Sequence, residues 1–443
     1  MRTAYVFERQ TASIVAAHLT YCLILALATY LTPRMAGLEM NNIIDVWSIS
    51  TLPVVLVAVA ALAVLVGTKR EPSVIFLHLI LLTLVTPSLV LLVSGGLPWI
   101  FAVTTSISFV IVTIFPKFMT INLKWGGVFS SYGMLVFCTL GVVAYTVAII
   151  GFGGFEHINF NILKVYDVRD LIISSIPSSF GYFTPIATGV LIPIAAVEAA
   201  RRKIWSLMLF LVGLGLFLFG VTSYKGIALN AVASIAFYWM SSQKRPVESI
   251  VGFLILGLIA STLETELANF TQNMMGYDSG VFSSLFLRRF LLVPSIINWA
   301  YMDYFDHIEK FYWWSTSRIT LGLVSNPFGV LPPLLIGTEY FKDPTLWANG
   351  GWIASGFANA SYLGILIYSI GFGIVLSAMD TLGRKLGMPF VVGSMTLIVW
   401  KIATTTDFLT AMLTHGLLLA LLLLFLVRDD GIAQHSVSMS KKV

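Results

Sequence analysis

The chain has 443 residues, 58% of them apolar and only 11% charged, with a mean hydropathy of +0.90, whereas ordinary globular proteins carry about 25% charged residues. That composition excludes a soluble enzyme, a nucleic-acid-binding protein and a β-barrel, and predicts an all-α polytopic membrane protein. The net charge of +5 is read through topology first, because basic residues in membrane proteins gather in cytoplasmic loops.

At about 20 apolar residues per crossing, windows centred on 12–31, 49–67, 73–94, 99–116, 129–152, 181–199, 204–222, 227–241, 247–263, 359–379, 388–406 and 408–427 predict twelve transmembrane helices. Ala26-Leu27-Ala28 resembles a signal-peptidase site, but Glu8 in the leading segment and the apolar run to Leu31 favour a retained first span. Basic residues recur at every second connection: Lys69 and Arg70, Lys117 and Lys124, Arg201 to Lys203, Lys244 and Arg245, Arg384 and Lys385. With Arg2, Arg9, Arg428, Lys441 and Lys442 added, sixteen of the 26 basic residues fall on one side, which predicts both termini in the cytoplasm. No internal repeat or linker interrupts the chain, so residues 1–443 read as a single membrane-embedded domain. Cys22 and Cys138 lie in separate apolar stretches and predict neither a disulfide nor a metal site.

Two outer loops hold the polar chemistry, about 153–180 and about 264–358. The first carries Lys164 and Arg169. The second is far longer than an ordinary connection, which marks it as functional, and its apolar clusters from Phe286 to Trp299 predict short amphipathic helices at the membrane surface. Arg288 and Arg289 are embedded in SSLFLRRFLLVPSIINW, where a guanidinium calls for a bound anion or a paired carboxylate. Forked arginine donors suit phosphate oxygens.

The next segment, YMDYFDHIEKFYWW at 301–314, has seven aromatic residues in fourteen positions. Such a run fits either a sugar site, with rings against pyranose faces, or an aromatic belt at the bilayer interface. Asp303, Asp306 and His307 at i, i+3 and i+4 would share a helical face. That spacing allows a carboxylate-oriented histidine to act as general base, and fits solvated surface charges equally well. Lys225, in FGVTSYKGIALN at the tip of a short hairpin, either snorkels to the headgroups or addresses a lipid phosphate. Snorkelling also accounts for Lys401. Asn269-Phe-Thr and Asn359-Ala-Ser match the glycosylation sequon, a pattern that arises often by chance.

The stretches RRFLLVPSIINWAYMDYF (288–305), IGTEYF (336–341), WANGGWIASGFANASYLGI (347–365), SYKGIAL (223–229) and LTAMLTHGLLLALLL (409–423) resemble the Wzy family of bacterial O-antigen polymerases, which join oligosaccharide repeat units. The resemblance covers most of the chain, and its most distinctive part is the Arg-to-Pro stretch with the aromatic-acidic run behind it. It implies a helical membrane glycosyltransferase of GT-C-type architecture in the inner membrane of a Gram-negative bacterium. Polyprenyl-pyrophosphate-linked oligosaccharides would be both donor and acceptor, with membrane lipids and a chain-length regulator as further partners and no cofactor or nucleic acid. In that reading His307, Asp303 and Glu339 are the catalytic candidates, and Arg288, Arg289, Lys225, Arg169, Arg318 and Tyr304 are candidates for binding pyrophosphate and glycan. Some members carry an Arg, ten residues and a Gly in two outer loops. Arg318 to Gly329 has that spacing, whereas Arg169 to Gly181 is one residue longer. An O-antigen ligase, which shares the donor, is the rival enzyme. A lipid-oligosaccharide flippase is the rival from another class, although transporters concentrate polar residues at the midplane and here they gather on one outer face.

Overall fold

The computed structural model describes residues 2–32, 48–121, 127–156, 158–160, 177, 179–270 and 280–428. Its named elements are all helices: α1 (Arg2–Leu31), α2 (Leu52–Val66), α3 (Pro72–Val93), α4 (Trp99–Phe118), α5 (Ser131–Gly154), α6 (Phe180–Arg201), α7 (Trp205–Thr222), α8 (Lys225–Ser242), α9 (Pro246–Phe270), α10 (Val281–Ile308), α11 (Pro332–Glu339), α12 (Trp352–Leu386), α13 (Met388–Thr404), α14 (Phe408–Leu413) and α15 (Leu417–Phe425). Among the described residues ten helices are long and apolar enough to cross a membrane, and α8 and α13 are shorter apolar helices. The chain is thus a polytopic helical membrane protein.

Within the expected last span, 408–427, Gly416 takes a left-handed conformation (φ +81°) and separates α14 from α15, so the segment is not one continuous helix. Its far end lies at the basic end of α12, where Lys385 donates to Phe425 O (2.8 Å).

Prolines inside apolar stretches shape three of the helices. A proline ring cannot donate the i to i−4 hydrogen bond and crowds the carbonyl four residues back. The preceding turns widen to π geometry instead of breaking: Leu81–Val85 before Pro87, Ala187–Leu191 before Pro193, and Ser284–Leu292 before Pro294. Side chains from neighbouring helices reach carbonyls in two of these turns. Leu84 O accepts from Ser88 Oγ (2.8 Å) and from Ser295 Oγ (3.3 Å), and Thr188 O accepts from Asn230 Nδ2 (2.9 Å). Such re-satisfaction lets a proline persist inside a membrane helix.

The chain divides into two compact units. One comprises Met1–Met119, Arg245–Ser377 and Trp400–Leu409, and is built around α3, whose apolar window is fully buried. The other comprises Thr120–Lys244, Ala378–Val399 and Thr410–Val443. In it the buried Glu198 carboxylate is clamped by Arg201 (2.7 Å) and Arg202 (2.6 Å), and Arg201 also donates to Leu386 O and lies over the Phe390 ring.

Within the first unit α10 departs from the short amphipathic helices expected. It is one continuous helix of 28 residues, because the widened turns absorb Pro294. Glu264 caps its start by accepting the N–H groups of Phe282 and Ser283. Phe286 lies against Gly257, Phe290 stacks on Trp400 (5.0 Å), Ser295 meets Ser88 (3.0 Å), and Trp299 faces Phe101 (6.1 Å). The helices contacted, α9, α13, α3 and α4, have Arg245, Lys385, Arg70 and Lys117 at or beside their opposite ends. The helical rise puts the contact points roughly 16 to 27 Å from those basic ends. Four contacts spread along a helix about 42 Å long thus fall within a slab much thinner than its length, so α10 runs obliquely to these neighbours.

Candidate functional site

The site is assembled where α10 stops. Glu309 takes a left-handed conformation (φ +50°) at the C-cap, and the chain doubles back through the aromatic run. Much of that run is core. Phe305 is fully buried and packs against Tyr301, Tyr304, Phe311, Tyr312 and Phe328, with ring centroids 5.3 to 6.5 Å apart. Tyr301 donates to Ala348 O (2.9 Å) and Tyr312 to Val330 O (2.9 Å), since a buried phenol needs an acceptor. Trp313 and Trp347 are left exposed beside this core, at 53% and 50%.

A break in α12 fixes the return. Ala360 and Ser361 leave helical geometry, with Ser361 at φ +53°, ψ −143°. Backbone approaches so closely there that a Cβ on Gly364 would overlap the Gly356 carbonyl. Near the break Tyr312 N–H donates to Ala358 O, Trp313 N–H to Asn359 O and Trp314 N–H to Asn359 Oδ1, each at 2.9 Å. The Trp314 indole donates to the Tyr368 hydroxyl (3.1 Å), which donates to Asp407 (2.8 Å). Asn359 is therefore buried and engaged through both its amide atoms, so its sequon is closed to modification.

On the last turn of α10 the sequence-predicted residues meet. The Asp303 carboxylate accepts from the Tyr340 hydroxyl (3.1 Å) with one oxygen, and its other oxygen lies 3.7 Å from His307 Nδ1. The same Nδ1 is 2.6 Å from the Asp303 backbone carbonyl. A carbonyl only accepts, so Nδ1 carries the hydrogen of the neutral ring and Nε2 keeps its lone pair. The His307 side chain is 75% exposed. Tyr340 follows α11, and burial together with the nearby Asp303 charge pushes its phenol up to about 12. It also hydrogen-bonds the Trp299 side chain. Glu339 is exposed and within electrostatic reach of the half-buried Tyr304. Asp303, His307, Glu339, Tyr304 and Tyr340 thus form one cluster. Asp343 stands apart in a surface turn, its carboxyl held below the usual range by the Thr345 hydroxyl and N–H.

The expected phosphate-binding pair is elsewhere on the same helix. Arg288 is half-buried, with Nε and Nη2 donating to Ser284 Oγ at 3.3 and 3.1 Å, and Arg289 is exposed. Fourteen to fifteen helical residues separate them from Asp303, roughly 21 to 23 Å, so the pair and His307 cannot serve the same bond. Arg318 is exposed in the turn Arg318–Thr320, next to Ile319, Leu321 and Leu323 at 58%, 85% and 87% exposure. Apolar side chains offered this way beside a cation suit a lipid headgroup boundary. Lys225 is the first residue of α8, and Arg169 lies outside the described residues.

Tyr340 and Trp299 were not singled out by sequence. Tyr340 stood next to Glu339 in IGTEYF, but nothing local says that its hydroxyl meets a carboxylate 37 positions earlier. No family model, curated protein or solved structure matches the chain.

Proposed function

We propose that the chain is an O-antigen polymerase, a membrane glycosyltransferase of GT-C type that joins polyprenyl-pyrophosphate-linked repeat units at the periplasmic face of the Gram-negative inner membrane. The observation that carries this reading is the end of α10, where an exposed histidine with a free Nε2 lone pair and an adjacent carboxylate stands beside exposed tryptophans. The basic connections lie at the other ends of the neighbouring helices, which under the positive-inside rule supports a cluster outside and termini in the cytoplasm.

In this reaction the terminal hydroxyl of one lipid-linked glycan attacks the anomeric carbon of another. Its proton passes to His307 Nε2, the new C–O glycosidic bond forms, and the bond from the anomeric carbon to pyrophosphate oxygen breaks. Polyprenyl pyrophosphate departs with the electron pair. Asp303 and the negative end of α10 stabilise the imidazolium that results. Tyr304 and the exposed tryptophans offer ring faces and a hydroxyl to the sugars, and Glu339 is the reserve base. The distance along α10 assigns Arg288 and Arg289 to the acceptor, whose own pyrophosphate is separated from the attacking hydroxyl by a whole repeat unit. Arg318 is left as a candidate for the donor pyrophosphate, where developing charge needs fixed donors. A chain-length regulator is the expected protein partner.

Silver-stained lipopolysaccharide from a deletion strain tests the reading. A ladder that collapses to core plus one repeat supports polymerisation. Accumulated long lipid-linked polymer would make the chain a ligase, and an unchanged ladder would remove it from the pathway.

A further inference from the structure

His18 on α1 and His78 on α3 are both fully buried, with ring centroids 4.9 Å apart. His18 Nδ1 is 2.9 Å from Ile14 O, in the preceding turn of its own helix. His78 Nε2 is 2.9 Å from Gly67 O, a carbonyl turned inward because Gly67 ends α2 at φ +89°. The remaining two nitrogens, His18 Nε2 and His78 Nδ1, face each other at 3.3 Å.

Hydrogen counting exposes a shortage. The outer contacts are to carbonyls, which only accept, so each requires a ring N–H. Two neutral imidazoles own one N–H apiece. If both point outward, two lone pairs oppose each other across 3.3 Å. If either turns inward, a lone pair is left against a carbonyl at 2.9 Å. Three contacts need three hydrogens, and the neutral pair supplies two.

We propose that His18 and His78 form a buried binding site for one proton, held between His18 Nε2 and His78 Nδ1. The added hydrogen completes all three hydrogen bonds at once, with either ring serving as the imidazolium. A metal ion is the poorer ligand, because the described residues bring no group of three or more His, Cys, Asp or Glu side chains together.

Burial opposes a lone cation, and here the charge is shared by two rings that each face a carbonyl oxygen. Glu248 on α9, the helix packed along α1, accepts from Ser13 Oγ (3.1 Å) about one and a half turns before His18. Its other carboxylate oxygen is buried with no hydrogen-bond partner among the described residues. The other ionisable groups around the pair are Glu8, Arg9, Tyr21 and Cys22 on α1, Lys69, Arg70 and Glu71 in the turn between α2 and α3, and Arg245 before α9. Lys117 on α4 is occupied with Leu65 O, and Tyr21 with Leu82 O. The α2 and α3 helices contribute none besides His78. Glu248 is thus the acid that faces α1 from a neighbouring helix.

The three bonds tie α1, the end of α2 and α3 together, so the proton is a structural ligand of this junction. The folded protein then binds a proton that the unfolded chain releases near neutral pH, and the stability it confers is lost as pH rises. This inference is independent of the glycosyl-transfer reading.

The test uses the full-length protein in nanodiscs with ¹⁵N-labelled histidine, followed by NMR across about pH 5 to 9. Expected near neutrality is one pair of rings sharing three N–H hydrogens, a signature that disappears in His18→Gln and in His78→Gln. The wild-type melting temperature should fall with rising pH, and this dependence should be lost in both glutamine variants. Two neutral rings at the low end of the range would overturn the proposal, and that result needs no variant to fold. So would an unchanged pH dependence in both glutamine variants.

Discussion

Replacing His307 probes the proposed base with little structural cost, because its side chain is three-quarters exposed. His307→Ala should insert and fold like the wild type while polymerising roughly a hundredfold or more slowly, the usual scale for a lost general base. Asp303→Asn should cost less. Its nearer carboxylate oxygen is 3.7 Å from Nδ1, whereas the backbone carbonyl that fixes the tautomer is at 2.6 Å and survives the substitution. A solvent-open pair contributes little, so a loss below about tenfold is expected. Because the two act as one unit, the double variant should be no slower than His307→Ala alone. Tyr340→Phe removes the donor to the far oxygen of Asp303 and should fall between wild type and Asp303→Asn. The assay is purified enzyme in nanodiscs with defined lipid-linked repeat units, product length read on gels, and donor binding measured separately. An active His307→Ala beside an inactive Asp303→Asn or Glu339→Gln would move the base to a carboxylate. Loss of donor binding in His307→Ala would move the histidine to the pyrophosphate.

Arg288→Ala and Arg289→Ala should insert normally and lower polymerisation, with lysine restoring only part because it keeps the charge and loses the fork; full activity in both alanine variants would make the pair an interface anchor. Asn298 is buried, accepts from Ala354 N–H (2.9 Å) and donates to Pro294 O (2.7 Å); Asn298→Ala orphans the Ala354 N–H, while Pro294 O keeps its helical partner, and should cost about 1–3 kcal/mol, seen as a lower unfolding temperature, whereas an unchanged value would contradict the hydrogen-bond accounting. Gly364→Ala should open the break in α12 and, by releasing the aromatic return, raise proteolysis within 309–351; wild-type cleavage would show that the close approach to Gly356 is not needed. Reporter fusions at Lys203 and Arg384 should read as cytoplasmic and one at Pro332 as periplasmic, and a cytoplasmic signal at Pro332 would separate the cluster from its substrate.

Hydropathy located most of the membrane helices, because a run of about 20 apolar residues has few other stable fates in this composition. It failed where length and polarity part company. The window 408–427 is mostly apolar, yet Gly416 divides it. The segment 281–308 read as short amphipathic helices within a long loop, and it is one helix whose charges lie toward its exposed faces and its end. The widening of turns before three prolines was not legible, because it depends on side chains such as Ser295 and Asn230 from helices remote in sequence. The Asp303–His307 pairing was legible because it is local. The distance from Arg288 was equally implicit in the residue count, and it was hidden by treating 264–358 as a loop free to fold the arginines over the histidine. Tyr340 and the two buried histidines were silent in sequence, since each draws its meaning from a partner in another element.

The widened segment before Pro294 also sets an angular phase. Each residue advances an α-helix by about 100°, so a π turn, which carries more residues than the α turn it replaces, rotates everything beyond it relative to everything before. The direction in which His307 leaves the barrel of α10, compared with Arg288, is fixed by residue number within that segment more than by residue identity. Insertions and deletions between Ser284 and Leu292 are therefore coarse controls. Removing one residue there would swing the whole turn that carries His307 by about a quarter of a circle while leaving every side chain of the cluster in place in the sequence.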